Sequence, residues 1–124
     1  MLKNLLDACG GAIGFYTIGF GIAYGGTETG LTFIGNGDFA LRDFKGDYAF
    51  FFFEFAFAAT AATIVAGAVA ERCKMSAYLC YSFFLTAFVY PVIVHSIWSA
   101  NGFLSGFAPV EKRFQGVGVI DFAG

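Results

Sequence analysis

Apolar residues fill three long stretches of the chain, and polar and charged residues collect in the segments between them. The stretches run from about Leu5 to Tyr24, from Ala49 to Ala70, and from Ala77 to about Trp98. A membrane-crossing helix needs about 20 predominantly apolar residues, and each stretch meets that length. A further apolar run begins at about Val117. The pattern predicts an all-α, polytopic membrane helix bundle with three spans and the start of a fourth.

The segments between the spans differ in length. Residues Gly25 to Asp47 and Ser99 to Gln115 are long and polar, so they are expected outside the hydrocarbon. Glu71 to Ser76 is a short charged turn, which predicts that the second and third spans are antiparallel neighbours. Pro91 removes one helical hydrogen bond from the third span, so a kink is expected there. The charged residues of the first loop are Glu28, Asp38, Arg42, Asp43, Lys45 and Asp47.

The first span is rich in glycine. Gly10 with Gly14, and Gly21 with Gly25, have the small-xxx-small spacing of close helix contacts in membranes, which predicts an interior helix. Asp7 falls in the first turn of this predicted helix, where a carboxylate favours the positive end of the helix dipole. We interpret Asp7 as structural. The long apolar stretch and the lack of a clear cleavage site argue against a signal peptide.

Glu54 is the single ionisable residue of the second span. A charged side chain in hydrocarbon costs roughly 2.5 to 3.5 kcal/mol or more, so Glu54 is expected to face protein rather than lipid. The sequence leaves two roles open for it, an interhelical hydrogen-bond partner and a proton relay.

Composition supports the membrane assignment. Hydrophobic residues make up 58% of the 124 positions, 18 residues are Phe, and only 13% are charged, which is more apolar surface than a soluble domain of this size buries. The net charge of -2 and the lack of basic clusters argue against nucleic acid binding. Cys9, Cys73 and Cys80 have neither a metal-site spacing nor an even number, so they are interpreted as free thiols. The sequence predicts no metal and no cofactor.

Helix geometry gathers several candidate residues at one mouth of the bundle. With about 1.5 Å of rise per residue, Trp98 lies about 12 Å beyond Phe57 on the side away from the short turn. Asp121 follows the loop that leaves Trp98, and Phe53 is four residues before Phe57, on the same helix face. Trp is the best cation–π surface among the side chains, and a carboxylate adds attraction, so this mouth suits a small cation. Each residue also has a plain alternative: an interfacial belt position for Trp98, packing for the Phe pair, a helix cap for Asp121.

Three segments carry a resemblance to a known family. They are Phe55-Ala56-Phe57-Ala58 continuing to Ala66-Gly67-Ala68-Val69-Ala70-Glu71-Arg72, then Phe88-Val89-Tyr90-Pro91-Val92 with His95 and Trp98, and finally Val119-Ile120-Asp121-Phe122-Ala123-Gly124. Together they closely resemble the ammonium transporter family. The beginning of the chain, Lys3-Asn4 through Asp7-Ala8, is similar to the start of that family's second membrane helix.

The resemblance implies that the chain corresponds to helices two to four and the opening of helix five in an eleven-helix subunit of a homotrimer. It implies that Trp98 belongs to an external ammonium-recruitment site, with Asp121 as a supporting carboxylate. It assigns Phe57 to a phenylalanine gate, and it places Phe53 beside that gate at the outer vestibule. On this interpretation the chain is a fragment, because a run of about eight residues from Val117 cannot cross a bilayer of roughly 30 Å.

Two departures from the family pattern matter. Many members carry Gln where this chain has Glu54. The Glu54 side chain either adds a negative charge near the vestibule or is neutral because it is protonated in a dry site. The family's paired pore histidines and second gate Phe lie beyond Gly124, and His95 aligns with neither histidine. His95 is therefore interpreted as structural.

The resemblance implies transmembrane transport of ammonium or ammonia in the plasma membrane, with transport expected of a full-length parent and not of the isolated fragment. The alternatives are an ammonium sensor or regulatory protein on the same helices, and a non-functional partial gene product. An intramembrane enzyme is disfavoured, because catalytic carboxylates would need Glu54 and Asp121 to be deep and adjacent, whereas Asp121 is expected near the surface. The short turn at Glu71 to Ser76 is placed in the cytoplasm on the resemblance, although the basic residues slightly oppose that orientation.

Overall fold

Three long helices dominate the computed structural model, which describes residues 1–26, 33–42 and 44–123. Helix α1 is Leu2–Tyr24, α2 is Tyr48–Val69 and α3 is Met75–Trp98, and each is long and apolar enough to cross a membrane. The predicted all-α, polytopic membrane class is confirmed. All three helices begin slightly earlier than the sequence pattern indicates.

Helices α1 and α3 each contain one turn of π-helix. Their segments are Leu2–Gly14, Phe15–Gly19 and Phe20–Tyr24 in α1, and Met75–Phe84, Leu85–Val89 and Tyr90–Trp98 in α3. The two π-helical turns contact each other where α1 and α3 pack. Pro91 lies just after the second one, so the widened turn absorbs the backbone hydrogen bond that proline cannot donate. The helix therefore continues through Pro91 instead of ending there.

Glycines allow α1 to approach α3 closely. A Cβ atom on Gly14 would lie 2.8 Å from the carbonyl oxygen of Phe83, and one on Gly10 would lie 2.9 Å from a methyl carbon of Leu79. This first pair acts as its spacing predicts. The second predicted pair, Gly21 and Gly25, instead contacts the loop after α1, where both are close to the carbonyl oxygen of Gly37.

Asp7 has a different structural role from the one its sequence position indicates. Helix α1 begins at Leu2, so Asp7 is beyond the first turn and does not complement the helix dipole. Its side chain is fully buried, and its Oδ2 atom accepts a hydrogen bond of 2.5 Å from the hydroxyl of Tyr78 on α3. The backbone carbonyl of Asp7 also accepts from Ser82. Asp7 is structural, as expected, but it links two helices.

An aromatic cluster joins α1, α2 and the first loop at the end of the bundle away from the short turn. Phe15 stacks on Phe51 with 5.7 Å between ring centroids, and Phe20 meets Phe51 and Phe44 edge-to-face, each at 5.2 Å. Phe15 and Phe20 are almost fully buried. The rings attach the first loop, through Phe44, to helices α1 and α2. The bulky start of α2 is therefore part of the hydrophobic core of this end.

The loops contain short 3-10 helices at Phe39–Leu41, Val110–Lys112 and Phe114–Gly116. Glu28 and Asp43 of the predicted first loop lie outside the described residues, as does Gly124.

The expected start of a fourth helix is not formed in residues 117–123. This run is tied to the preceding loop, because the N–H of Val119 donates to Leu104 and the carbonyl of Val119 accepts from Gly106. Those groups are consequently engaged outside any helical ladder.

Candidate functional site

A cavity of about 370 Å³ opens between α2, α3, the end of α1 and the loop that follows α3. It has aromatic, small apolar and acidic walls, and none of the described residues that line it is basic. The lining residues are Tyr24, Phe53, Glu54, Phe57, Thr60, Ala61, Ile64, Tyr90, Val94, Trp98, Phe107 and Asp121.

One face of α2 forms the first wall. Phe53, Phe57, Thr60 and Ile64 are spaced by three or four residues, so they project from the same side of the helix. The rings of Phe53 and Phe57 meet edge-to-face with 4.9 Å between centroids. They therefore form a continuous aromatic surface along the cavity.

A stripe on α3 forms the opposing wall. Tyr90, Val94 and Trp98 follow each other at intervals of four residues and all line the cavity. The side chain of Trp98 is 38% exposed, so its ring is accessible from solvent. Trp98 lies at the last residue of the helix, where the chain enters the second polar loop.

The loop after α3 brings Asp121 back to Trp98. The indole Nε1–H of Trp98 donates a hydrogen bond of 3.2 Å to Oδ2 of Asp121. Arg113 supports the path of this loop, because its guanidinium donates to the carbonyl oxygens of Ala108 at 2.7 Å and Gly106 at 2.8 Å. Gly106 is bonded in turn to Val119, two residues before Asp121.

Glu54 faces the cavity and not the outside of the bundle. Tyr24, the last residue of α1, lines the same cavity. A deep, adjacent pair of Glu54 and Asp121 is disfavoured by the sequence, and in the structure both residues line the same cavity. Asp121 is nevertheless exposed, as its expected place near the surface requires.

His95 is not among the residues that line the cavity. Its side chain is 2% exposed, and its Nδ1 atom is 2.7 Å from the carbonyl oxygen of Ala23. Because a carbonyl only accepts, Nδ1 carries the proton and donates it to this bond. The histidine thus fastens α3 to the end of α1, next to Tyr24.

The structure brings Phe53, Phe57, Trp98 and Asp121 together, and it adds residues that were not predicted from the sequence. Counting back from Trp98 in steps of four would have found Val94 and Tyr90. Tyr24 carries no comparable signal, because only the packing of α1 beside α2 brings it to the cavity.

The chemistry of the cavity favours a small cation. Aromatic faces attract cations through the ring quadrupole, and carboxylates add charge and hydrogen-bond acceptors. An anion would meet two carboxyl groups and no basic residue among the described lining residues.

Comparisons with known proteins agree with this chemistry. The sequence profile of the Ammonium Transporter Family matches residues 1–124. The chain is similar to Ammonium transporter 1 member 2 of Oryza sativa subsp. japonica, at 49% identity over 127 residues that cover 100% of this chain and 25% of the relative. It is also similar to Ammonium transporter 1 member 3 of Solanum lycopersicum, at 46% identity, covering 100% of this chain and 26% of the relative. The chain thus spans about a quarter of the length of these curated relatives. No solved structure matches it.

Proposed function

This chain belongs to the ammonium transporter family, and on that premise we propose that it supplies the cation-recruitment cavity of a protein that transports ammonium or ammonia across a membrane. It is an integral, multi-pass membrane chain of a family of transporters and not of enzymes. The full transport activity, a homotrimeric assembly and a plasma membrane location are parts of the proposal.

The observation that carries the proposal is the hydrogen bond between Trp98 and Asp121 at the edge of the cavity. Asp121 fixes the indole through its N–H, which leaves the ring face available to a cation. The carboxylate adds negative charge beside that face. Ammonium is attracted by both groups through its charge, while a neutral solute of the same size is held much less strongly.

The Phe53 and Phe57 pair supports the next step of the mechanism. From the recruitment site, the path inward runs along aromatic rings that offer no hydrogen-bond partner to a charged solute. A bare charge is expensive to move through such surroundings. The captured cation therefore loses hydration or its proton before it passes Phe57, which acts as a gate. Transport as ammonium and transport as ammonia with a separate proton both begin with this capture.

A chimera tests the function. Residues 1–124 of this chain replace the matching segment of the rice relative, and radiolabelled methylammonium uptake is measured in cells that lack their own ammonium transporters. We expect saturable uptake. Trp98→Leu is expected to raise KM roughly 5- to 20-fold by removing the cation–π surface and the indole N–H. Phe88→Leu is the matched control, since Phe88 is on α3 but does not line the cavity.

Two outcomes would contradict the proposal. One is a chimera that reaches the cell surface and takes up no methylammonium. The other is binding of methylammonium without flux, which would favour the sensor alternative.

A further inference from the structure

We propose that Glu54 is a second carboxylate of the recruitment cavity and holds the incoming cation together with Asp121. This inference rests on the function proposed above and concerns how the cavity selects charge. The two residues come from different elements, Glu54 from α2 and Asp121 from the loop after α3, and both line the same cavity.

The position of Glu54 along α2 is the first argument. It lies three residues before Phe57, which is about 4.5 Å along the helix axis toward the end that holds Asp121. It also follows Phe53 directly, and Phe53 and Phe57 flank the cavity. A cation that moves from Trp98 toward Phe57 therefore passes Glu54 before it reaches the gate.

The surroundings of Glu54 are the second argument. Tyr24 lines the same cavity as Glu54, and this end of α1 is fastened to α3 by the bond from His95 to Ala23. A carboxylate has about four acceptor positions, so a bond from the Tyr24 hydroxyl would still leave acceptors for a ligand. Glu54 therefore lines a cavity whose wall at the end of α1 is held in place, and its carboxylate can accept hydrogen bonds from a cation.

The chemistry of ammonium is the third argument. The ion has four N–H donors, whereas a single face of Trp98 and a single carboxylate satisfy only part of them. A second carboxylate adds acceptors and charge at a place where the neighbouring rings offer neither. The Glu54 carboxylate therefore replaces part of the hydration that the ion loses in the cavity.

The competing explanation is that Glu54 only bonds to Tyr24 and holds α2 against α1. Glu54→Gln separates the two roles, because the amide oxygen still accepts from the tyrosine hydroxyl while the charge is lost. A structural role predicts unchanged KM. A role in cation binding predicts a higher KM for the variant, and this difference in KM becomes smaller as salt screens the charge.

The experiment compares methylammonium uptake by the chimera and by its Glu54→Gln variant at two ionic strengths. We expect KM to rise roughly 3- to 10-fold at about 10 mM salt, where the Debye length is about 30 Å, and the difference to shrink at about 150 mM. Vmax is expected to change less than KM. Glu111→Gln is the matched control, since Glu111 is exposed on the loop after α3 and does not line the cavity.

The possible failures are distinguishable. A parent chimera without uptake contradicts the proposed function, whereas a parent that transports with Glu54→Gln unchanged contradicts only this inference. An equal rise in KM at both ionic strengths, or an equal effect of Glu111→Gln, also overturns it. If Glu54→Gln does not reach the cell surface, calorimetric titration of the purified chimera with methylammonium chloride gives the same comparison. There, a Kd equal to that of the parent overturns the role.

Discussion

The indole Nε1–H of Trp98 donates to Oδ2 of Asp121 at 3.2 Å, although 23 positions separate the two residues along the chain. Trp98 ends a helix, and Asp121 lies in a non-helical run that the loop folds back against the cavity. This contact links the aromatic part of the site to its charged part. Changes to either residue, or to the loop that joins them, should therefore affect cation binding.

Asp121→Asn isolates the charge of this pair. The amide oxygen can still accept the indole N–H, so Trp98 is expected to keep its orientation. We expect KM for methylammonium in the chimera to rise roughly 3- to 10-fold from the lost charge. Asp38→Asn is the control, since Asp38 is in the first loop with a φ of 54°, a backbone conformation that Asn also tolerates. Equal KM values for parent and Asp121→Asn would rule out a charge contribution.

Arg113 is expected to position Asp121 through the loop. Arg113→Lys keeps the charge but loses the paired donors to Ala108 and Gly106. We expect a KM increase of about 2- to 5-fold and faster proteolysis of the loop, because two backbone carbonyls lose their partner. Arg42→Lys, at an exposed position of the other loop, should change neither measurement. Unchanged KM and protease resistance in Arg113→Lys would contradict the positioning role.

Gly14 tests the close packing of α1 on α3. A Cβ atom there would lie 2.7 Å from Thr86 Oγ1 and 2.8 Å from the Phe83 carbonyl oxygen, so Gly14→Ala must push the helices apart. We expect a loss of about 1 to 3 kcal/mol in the free energy of unfolding in detergent micelles. Gly67→Ala is the matched control, because a Cβ atom at Gly67 meets nothing within 4 Å. That change should be neutral or stabilise by about 0.5 to 1 kcal/mol. Similar effects at both positions would refute the packing argument.

Tyr78 tests the buried contact with Asp7. Tyr78→Phe removes the hydroxyl that donates to Oδ2, while Oδ1 already lacks a hydrogen-bond partner in the described part of the chain. We expect a loss of about 2 to 4 kcal/mol in the free energy of unfolding, measured in detergent micelles, since a buried carboxylate loses its partner.

Tyr81→Phe provides the comparison for Tyr78→Phe. The Tyr81 hydroxyl donates to the Ala62 carbonyl at 3.1 Å, and an ordinary interhelical hydrogen bond in a membrane protein contributes about 0.6 kcal/mol. A larger loss for Tyr81→Phe than for Tyr78→Phe would contradict the importance assigned to the buried carboxylate of Asp7.

Cys73 reports the orientation of the chain in the membrane. With Cys9 and Cys80 replaced by Ala, the proposed cytoplasmic placement of the short turn predicts that an impermeant thiol reagent labels Cys73 only after permeabilisation. Glu111→Cys, in the loop on the other side, should be labelled in intact cells. Labelling of Cys73 in intact cells would reverse the assigned topology.

Much of the candidate site could be predicted because helices have regular geometry. The four-residue spacing of Phe53 and Phe57 put both rings on one face, and helix length put Trp98 at the same end. The same rule would have added Tyr90 and Val94. The place of Tyr24 in the same cavity as Glu54 could not be predicted, because it depends on where the end of α1 lies beside α2, which no periodicity encodes.

Some local predictions were wrong because packing competed with local preference. Asp7 fitted a helix N-terminus, yet a buried tyrosine hydroxyl on α3 is its actual partner. Gly21 and Gly25 had the spacing of a helix contact, but the returning loop occupies that face. Residues 117–123 are not helical, because their backbone bonds to the loop, and a membrane span that begins there stays a prediction.

The sequence by itself determined the membrane class, the three spans, the hairpin of α2 and α3, and the family. These follow from hydrophobic length and local motifs, which act over neighbouring residues and need no knowledge of the fold. Only the tertiary structure decided that Asp121 meets Trp98, that Glu54 shares their cavity, and that Asp7 binds Tyr78. Those contacts join residues distant along the chain, and they depend on helix separations and loop paths that arise from the packing of all the elements together.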